Sequence, residues 1–170
     1  MIGAMVAGVA LHFETPREAA RTVAVVAVLT VLPVAVLMVR QVRRGSWANA
    51  DASNRAERPV LFAVGIVALV ALLGYALVLR PGSFLVRGAV AAMIMLAVCA
   101  VVTRWIKVSL HMAFGALAAE TLLFLGSPIG WILVAILPVL AWSRLTLGRH
   151  KPAEIVIGLL VGCVTGLALR

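Results

Sequence analysis

Ser143-Arg144-Leu145-Thr146-Leu147-Gly148-Arg149-His150-Lys151-Pro152-Ala153-Glu154 lies between two apolar runs and brings an arginine, a histidine and a carboxylate close together. His150 and Glu154 are four residues apart, so a helix starting near Pro152 sets them on one face. A carboxylate that accepts the proton of one imidazole nitrogen fixes the tautomer and leaves the other nitrogen as a nucleophile. A second cluster, Lys107-Val108-Ser109-Leu110-His111, opens another apolar run, and a third, Arg55-Ala56-Glu57-Arg58-Pro59, opens one more. Arg58 and Arg144 are suited to gripping phosphoryl oxygens, because a planar guanidinium binds them bidentately and stays charged. Ser109 can add a hydrogen bond, and His111 can protonate a leaving alkoxide and later activate water. Together these groups describe phosphoryl transfer through a phosphohistidine, with positive charge around the equatorial oxygens.

The elements that must position them are helices in a membrane. The chain has 170 residues, of which 64% are hydrophobic and only 12% charged, with a mean hydropathy of +1.16. Soluble globular domains carry about 25% charged residues. Apolar runs cover Thr22 to Val39, Pro59 to Leu79, Phe84 to Thr103, Val108 to Leu125, Ser127 to Trp142 and Pro152 to Leu169. At helical rise the longer ones cross roughly 30 Å of hydrocarbon. Met1 to Leu11 is apolar but short and lacks the basic start of a signal peptide, so residues 1–20 read as an interfacial or capping segment. The expected fold is all-α: one multi-pass transmembrane bundle of about six spans filling residues 1–170, in a cell membrane that we read as bacterial.

Counting crossings joins the three clusters. From Arg58 the chain crosses and returns by Thr103, then crosses and returns again by Trp142, so Arg58, Lys107 to His111, and Arg144 to Glu154 fall on one membrane face. The formal charge of +9 is carried by residues that flank the spans. That favours anionic lipid headgroups over nucleic acid as partners. Basic residues are in excess on the proposed active face, as the positive-inside rule expects of a cytoplasmic face. Phosphate binding asks for cations there too, so the charge balance does not set the orientation.

The motifs resemble those of the type 2 phosphatidic acid phosphatase superfamily, whose pattern is K-x6-R-P, then P-S-G-H, then S-R-x5-H-x3-D on a six-helix core. Ser143, Arg144, His150 and Glu154 match the third motif in spacing, with Glu in place of Asp. Ser109 and His111 stand for the second, with Val108 and Leu110 where the family has Pro and Gly, and Arg58-Pro59 stand for the first. The resemblance runs from about Arg40 to the C-terminus. It implies a metal-independent phosphatase acting on a lipid phosphomonoester or pyrophosphate, without a cofactor. It also implies His150 as nucleophile, His111 as general acid, and Arg58, Ser109 and Arg144 as phosphate ligands. The lysine position of the first motif is Asp51, which would repel phosphate; Lys107, and after it Arg55, are the cations expected to replace the lost charge. The alternative is a lipid-binding or phosphotransferase relative on the same scaffold.

The remaining polar residues have plainer readings. Arg149 and Lys151 read as interfacial anchors that snorkel, and Arg40, Arg43 and Arg44 as membrane-surface charge. Trp47, Trp105, Trp131 and Trp142 fit interfacial belts. Glu120 lies nine residues beyond His111 on one span, about 13 Å deeper at helical rise, and is expected to hydrogen-bond to Thr103 or Thr165. Cys99 and Cys163 read as packing thiols, and the spacing of His111, His150 and the acids asks for no metal.

Overall fold

The computed structural model describes residues 2–47, 54–80 and 83–168. Among them are seven helices and no strand: α1 (Ile2–Phe13), α2 (Pro16–Arg43), α3 (Arg55–Leu79), α4 (Phe84–Val102), α5 (Leu110–Phe124), α6 (Pro128–Thr146) and α7 (Pro152–Leu167). Every apolar run of the sequence is a helix. Of residues 1–20, read as an interfacial or capping segment, Ile2–Phe13 form α1 and those from Pro16 on begin α2. Four helices, α2, α3, α4 and α6, are long and apolar enough to cross a membrane, while α5 and α7 are shorter apolar helices of 15 and 16 residues.

Local chemistry sets the ends. Glu18 accepts from both the amide (3.1 Å) and the hydroxyl (2.8 Å) of Thr15, a capping arrangement that starts α2 at Pro16, six residues before the apolar run. Pro33 removes one backbone donor inside α2, and the turn before it widens to a π-turn over Ala27–Val31, where the amide of Leu32 reaches the carbonyl of Ala27. Asn54 and Glu57 form a capping box at the start of α3, whose first turn, Arg55–Glu57, is a 3-10 helix.

The chain forms two compact units, one running to Val25 and resuming at Ile106, the other Val26–Trp105. In the first, α5 is the central element and packs against α1, α6 and α7. Its Met112, Ala113, Gly115, Ala116, Leu117, Ala118, Ala119 and Leu122 are all buried. Small residues bring the helices close. A Cβ on Gly8 of α1 would sit 2.8 Å from Leu122, and one on Gly130 of α6 2.7 Å from the backbone of Leu123. On α7, Gly158, Gly162 and Gly166 face Ser109, Ala113 and Glu120 in turn. In the second unit, α3 and α4 form an antiparallel pair with Gly65 against Leu96, and the later part of α2 packs on α3. Away from these contacts the helices present large apolar side chains outward, including Val67 and Val78 on α3 and Trp131, Val139 and Trp142 on α6. In water such faces would be a liability; hydrocarbon is the solvent they suit.

Candidate functional site

The site grows from the end of α6. Gly148, at φ +63°, adopts the left-handed conformation that ends a helix without a Cβ penalty. Its amide donates to the carbonyl of Leu145 (3.0 Å), and that of Arg149 donates to the carbonyl of Arg144 (3.1 Å), which is the Schellman pattern. The amide of His150 also reaches the carbonyl of Arg144, at 3.3 Å. The five-residue gap between Arg144 and His150 is therefore one helix stop, and it fixes the histidine backbone to that of the arginine.

Lys151 then takes an extended conformation and Pro152 opens α7 at a position where its missing N–H costs nothing. Glu154 is the third residue of that helix. Its Oε2 accepts the amide of Lys151 at 3.2 Å and lies 2.8 Å from Nδ1 of His150. A carboxylate only accepts, so this contact assigns the proton to Nδ1 and leaves the ring's lone pair on Nε2. The imidazole and carboxylate are sheltered, with side chains 7% and 11% exposed.

The cluster before α5 joins the same place. Ser109 donates its amide to the backbone carbonyl of Glu154 at 3.1 Å. Lys107 donates from Nζ to the carbonyl of Arg149 at 2.5 Å, and the same ammonium lies 3.6 Å from Oε2 of Glu154. Two of the three polar clusters are thus adjacent. Ser109 caps α5 by position only: its residue is fully buried and its hydroxyl has no hydrogen-bond partner among the described residues. His111, in the first turn of α5, is exposed, and Arg144 is half-buried.

The third cluster belongs to the other unit. There Arg58 opens the α-helical part of α3 and is 2% exposed, while Arg55, in the 3-10 turn, is exposed. Asp51 lies outside the described residues. Glu120 is in the middle of α5 with its carboxylate beside Gly166, where a Cβ would lie 3.0 Å from Oε2. Thr165, expected to bond Glu120, instead donates to the carbonyl of Val161 at 2.8 Å, within its own helix. Thr103 is buried in the second unit with no hydrogen-bond partner for its hydroxyl among the described residues.

Two features went unread in the sequence. One is the engagement of Lys107 with Arg149 and Glu154, for which no local signal exists. The other is the Gly158, Gly162, Gly166 stripe, whose spacing of four marks one helix face and a close neighbour. It lets α7 approach α5 closely enough for the Ser109–Glu154 backbone contact. No group of three or more His, Cys, Asp or Glu able to hold a metal occurs among the described residues. Compared with protein-family models, with curated proteins and with solved structures, the chain matches none.

Proposed function

We propose that the protein is an integral-membrane lipid phosphatase, a divergent relative of the type 2 phosphatidic acid phosphatases, that cleaves a lipid phosphomonoester or pyrophosphate through a phosphohistidine. The observation that carries this reading is the Nδ1–Oε2 contact of 2.8 Å between His150 and Glu154, with the histidine tethered to Arg144 by the helix stop. A histidine in that tautomer carries its lone pair on Nε2, the nitrogen that can act as a nucleophile, and the carboxylate stabilises the positive charge that the ring acquires on attack.

In the first step Nε2 of His150 bonds to phosphorus and the bond from phosphorus to the lipid oxygen breaks. The electron pair leaves on that oxygen, which takes a proton from imidazolium His111. In the second step water attacks phosphorus and gives a proton to the now neutral His111. The P–N bond then breaks, its electrons return to His150, and orthophosphate leaves. Arg144 and the Ser109 hydroxyl are the phosphate ligands we assign in this unit. The exposure of His111 suits a group that must meet a leaving lipid and then water.

On this reading all six apolar helices after α1 cross the membrane. Helices of 15 and 16 residues span roughly 22–24 Å, less than a full hydrocarbon core. Lys107, Ser109 and His150, at the starts of those short helices, would then be drawn to headgroup depth, where a lipid phosphate lies. Anionic headgroups are the expected surroundings.

Phosphate release by purified protein from phosphatidic acid, phosphatidylglycerophosphate and a polyprenyl pyrophosphate, measured in EDTA, tests the assignment. Release that persists in chelator and disappears in His150→Ala is the expected result. A protein that binds these lipids with no release belongs to the non-catalytic alternative, and loss of the lipid phosphate with phosphorylation of an added hydroxyl acceptor, in place of free phosphate, points to a transferase.

A further inference from the structure

The sequence makes Lys107 a phosphate ligand; its surroundings assign it a different task. We propose that Lys107 is a positioning residue for His150, bridging the Arg149 carbonyl and the Glu154 carboxylate so that the carboxylate oxygen is held against the imidazole. The ammonium carries three protons in a tetrahedral array. One is spent on the carbonyl of Arg149, and the ammonium lies 3.6 Å from the very oxygen, Oε2, that contacts Nδ1 of His150. With its side chain only 16% exposed, Lys107 is turned into the protein. Its two contacts flank His150 in the chain, one at the preceding residue and one four residues later. Together they tie the segment before α5 to both ends of the turn that carries the nucleophile.

The charge has a second effect through the same oxygen. Glu154 accepts from the Lys151 amide and pairs with His150, so its negative charge acts on the imidazole. A cation 3.6 Å from the same oxygen offsets part of that charge. A lysine suits this better than an arginine: a point charge on a flexible stem meets a carbonyl and a carboxylate lying in different directions, whereas a planar fork meets one partner edge-on.

The test separates this role from phosphate binding, and both from the phosphatase reading on which its kinetic half rests. Lys107→Met keeps the stem and removes the charge. In the full-length protein we expect kcat on the lipid phosphate to fall roughly tenfold or more, with KM and inhibition by inorganic phosphate within about twofold of the parent, by analogy with loss of a group that acts only on the reacting residue. A tenfold weaker inhibition by phosphate at unchanged kcat would overturn the proposal and return Lys107 to the phosphate; no change in either would leave it an interfacial anchor. Lys107→Arg, which retains the charge, covers the case in which the methionine variant does not fold, and should show less than half of the parent kcat. Histidine 15N spectra of the detergent-solubilised protein decide the matter independently of turnover, the His150 signal being identified by its loss in His150→Ala. The parent should show His150 as the Nδ1–H tautomer, and Lys107→Met should shift or average that signal. An unchanged His150 signal in Lys107→Met sinks the proposal even if the phosphatase reading stands, and a shifted signal sustains it even if no lipid phosphate is turned over.

Discussion

On the phosphatase reading His150 is the nucleophile, its tautomer fixed by Glu154 and its side chain largely withdrawn from solvent. Removing the imidazole in His150→Ala should abolish turnover without unfolding the protein, since the turn is held by the Gly148 stop and by the Arg144 carbonyl rather than by the ring. A phosphorylated intermediate, labile in acid and stable in base, should be trappable in the parent by rapid quenching. Recovery of that intermediate from His150→Ala would reassign the nucleophile. Glu154→Gln preserves shape but loses the charge that stabilises the imidazolium, and should cost roughly two or more orders of magnitude in rate, by analogy with the carboxylate of a Ser-His-Asp triad. Glu154→Asp, with the carboxylate retained, should keep much more; equal rates in all three would make Glu154 only a first-turn acid that caps its helix.

At the level of elements, the contact that matters most is α5 against α7. Gly162 sits against the Ala113 carbonyl and, for any Cβ placed there, 2.8 Å from the Cβ of Ala116; Gly158 lies against the Ser109 carbonyl. These are backbone neighbours that cannot swing aside. Gly162→Val should therefore push the helices apart and destabilise the fold by about 1–3 kcal/mol or more, read as a lower unfolding temperature in detergent. Gly74 offers the control, because nothing lies within 4 Å of a Cβ there. Gly74→Ala should leave the unfolding temperature unchanged or raise it slightly, the helix gaining up to about 1 kcal/mol of propensity. If both substitutions behave alike, the spacing of glycines on α7 is not what holds it to α5.

For the whole molecule the solvent is the decisive question. The outward faces of α3 and α6 carry Val67, Val78, Trp131 and Trp142 at 64–77% exposure, a pattern suited to lipid contact. Crossing by α6 has a direct consequence within its unit: Ser127, just before it, and Leu147, just after it, should lie on opposite sides of the membrane. In a background with Cys99 and Cys163 replaced by alanine, Ser127→Cys and Leu147→Cys should be labelled by an impermeant maleimide from opposite sides of sealed vesicles. Labelling of both from one side would mean that α6 lies along the interface, and the proposed descent of His150 to headgroup depth would fall with it.

Much of this was legible in the chain because it is local. Hydropathy over twenty or so residues reports a helix and its solvent, so all six long or short apolar runs proved helical. The pairing of His150 with Glu154 was expected from their spacing of four, although His150 precedes α7 and reaches the carboxylate past an extended Lys151. The start of α2 at Pro16 was missed, the run being read from Thr22, although the capping pair Thr15 and Glu18 marks it locally. What tertiary structure alone decided is how separate segments meet. Lys107 and Arg149 are 42 positions apart, and nothing in either stretch says that the ammonium turns to the Arg149 carbonyl and Glu154. The full burial of Ser109 and the hydroxyl of Thr165 turning back on its own helix are likewise outcomes of packing. Hydrogen-bond donors take whichever acceptor the assembled helices bring within about 3 Å, and only the fold determines which one that is.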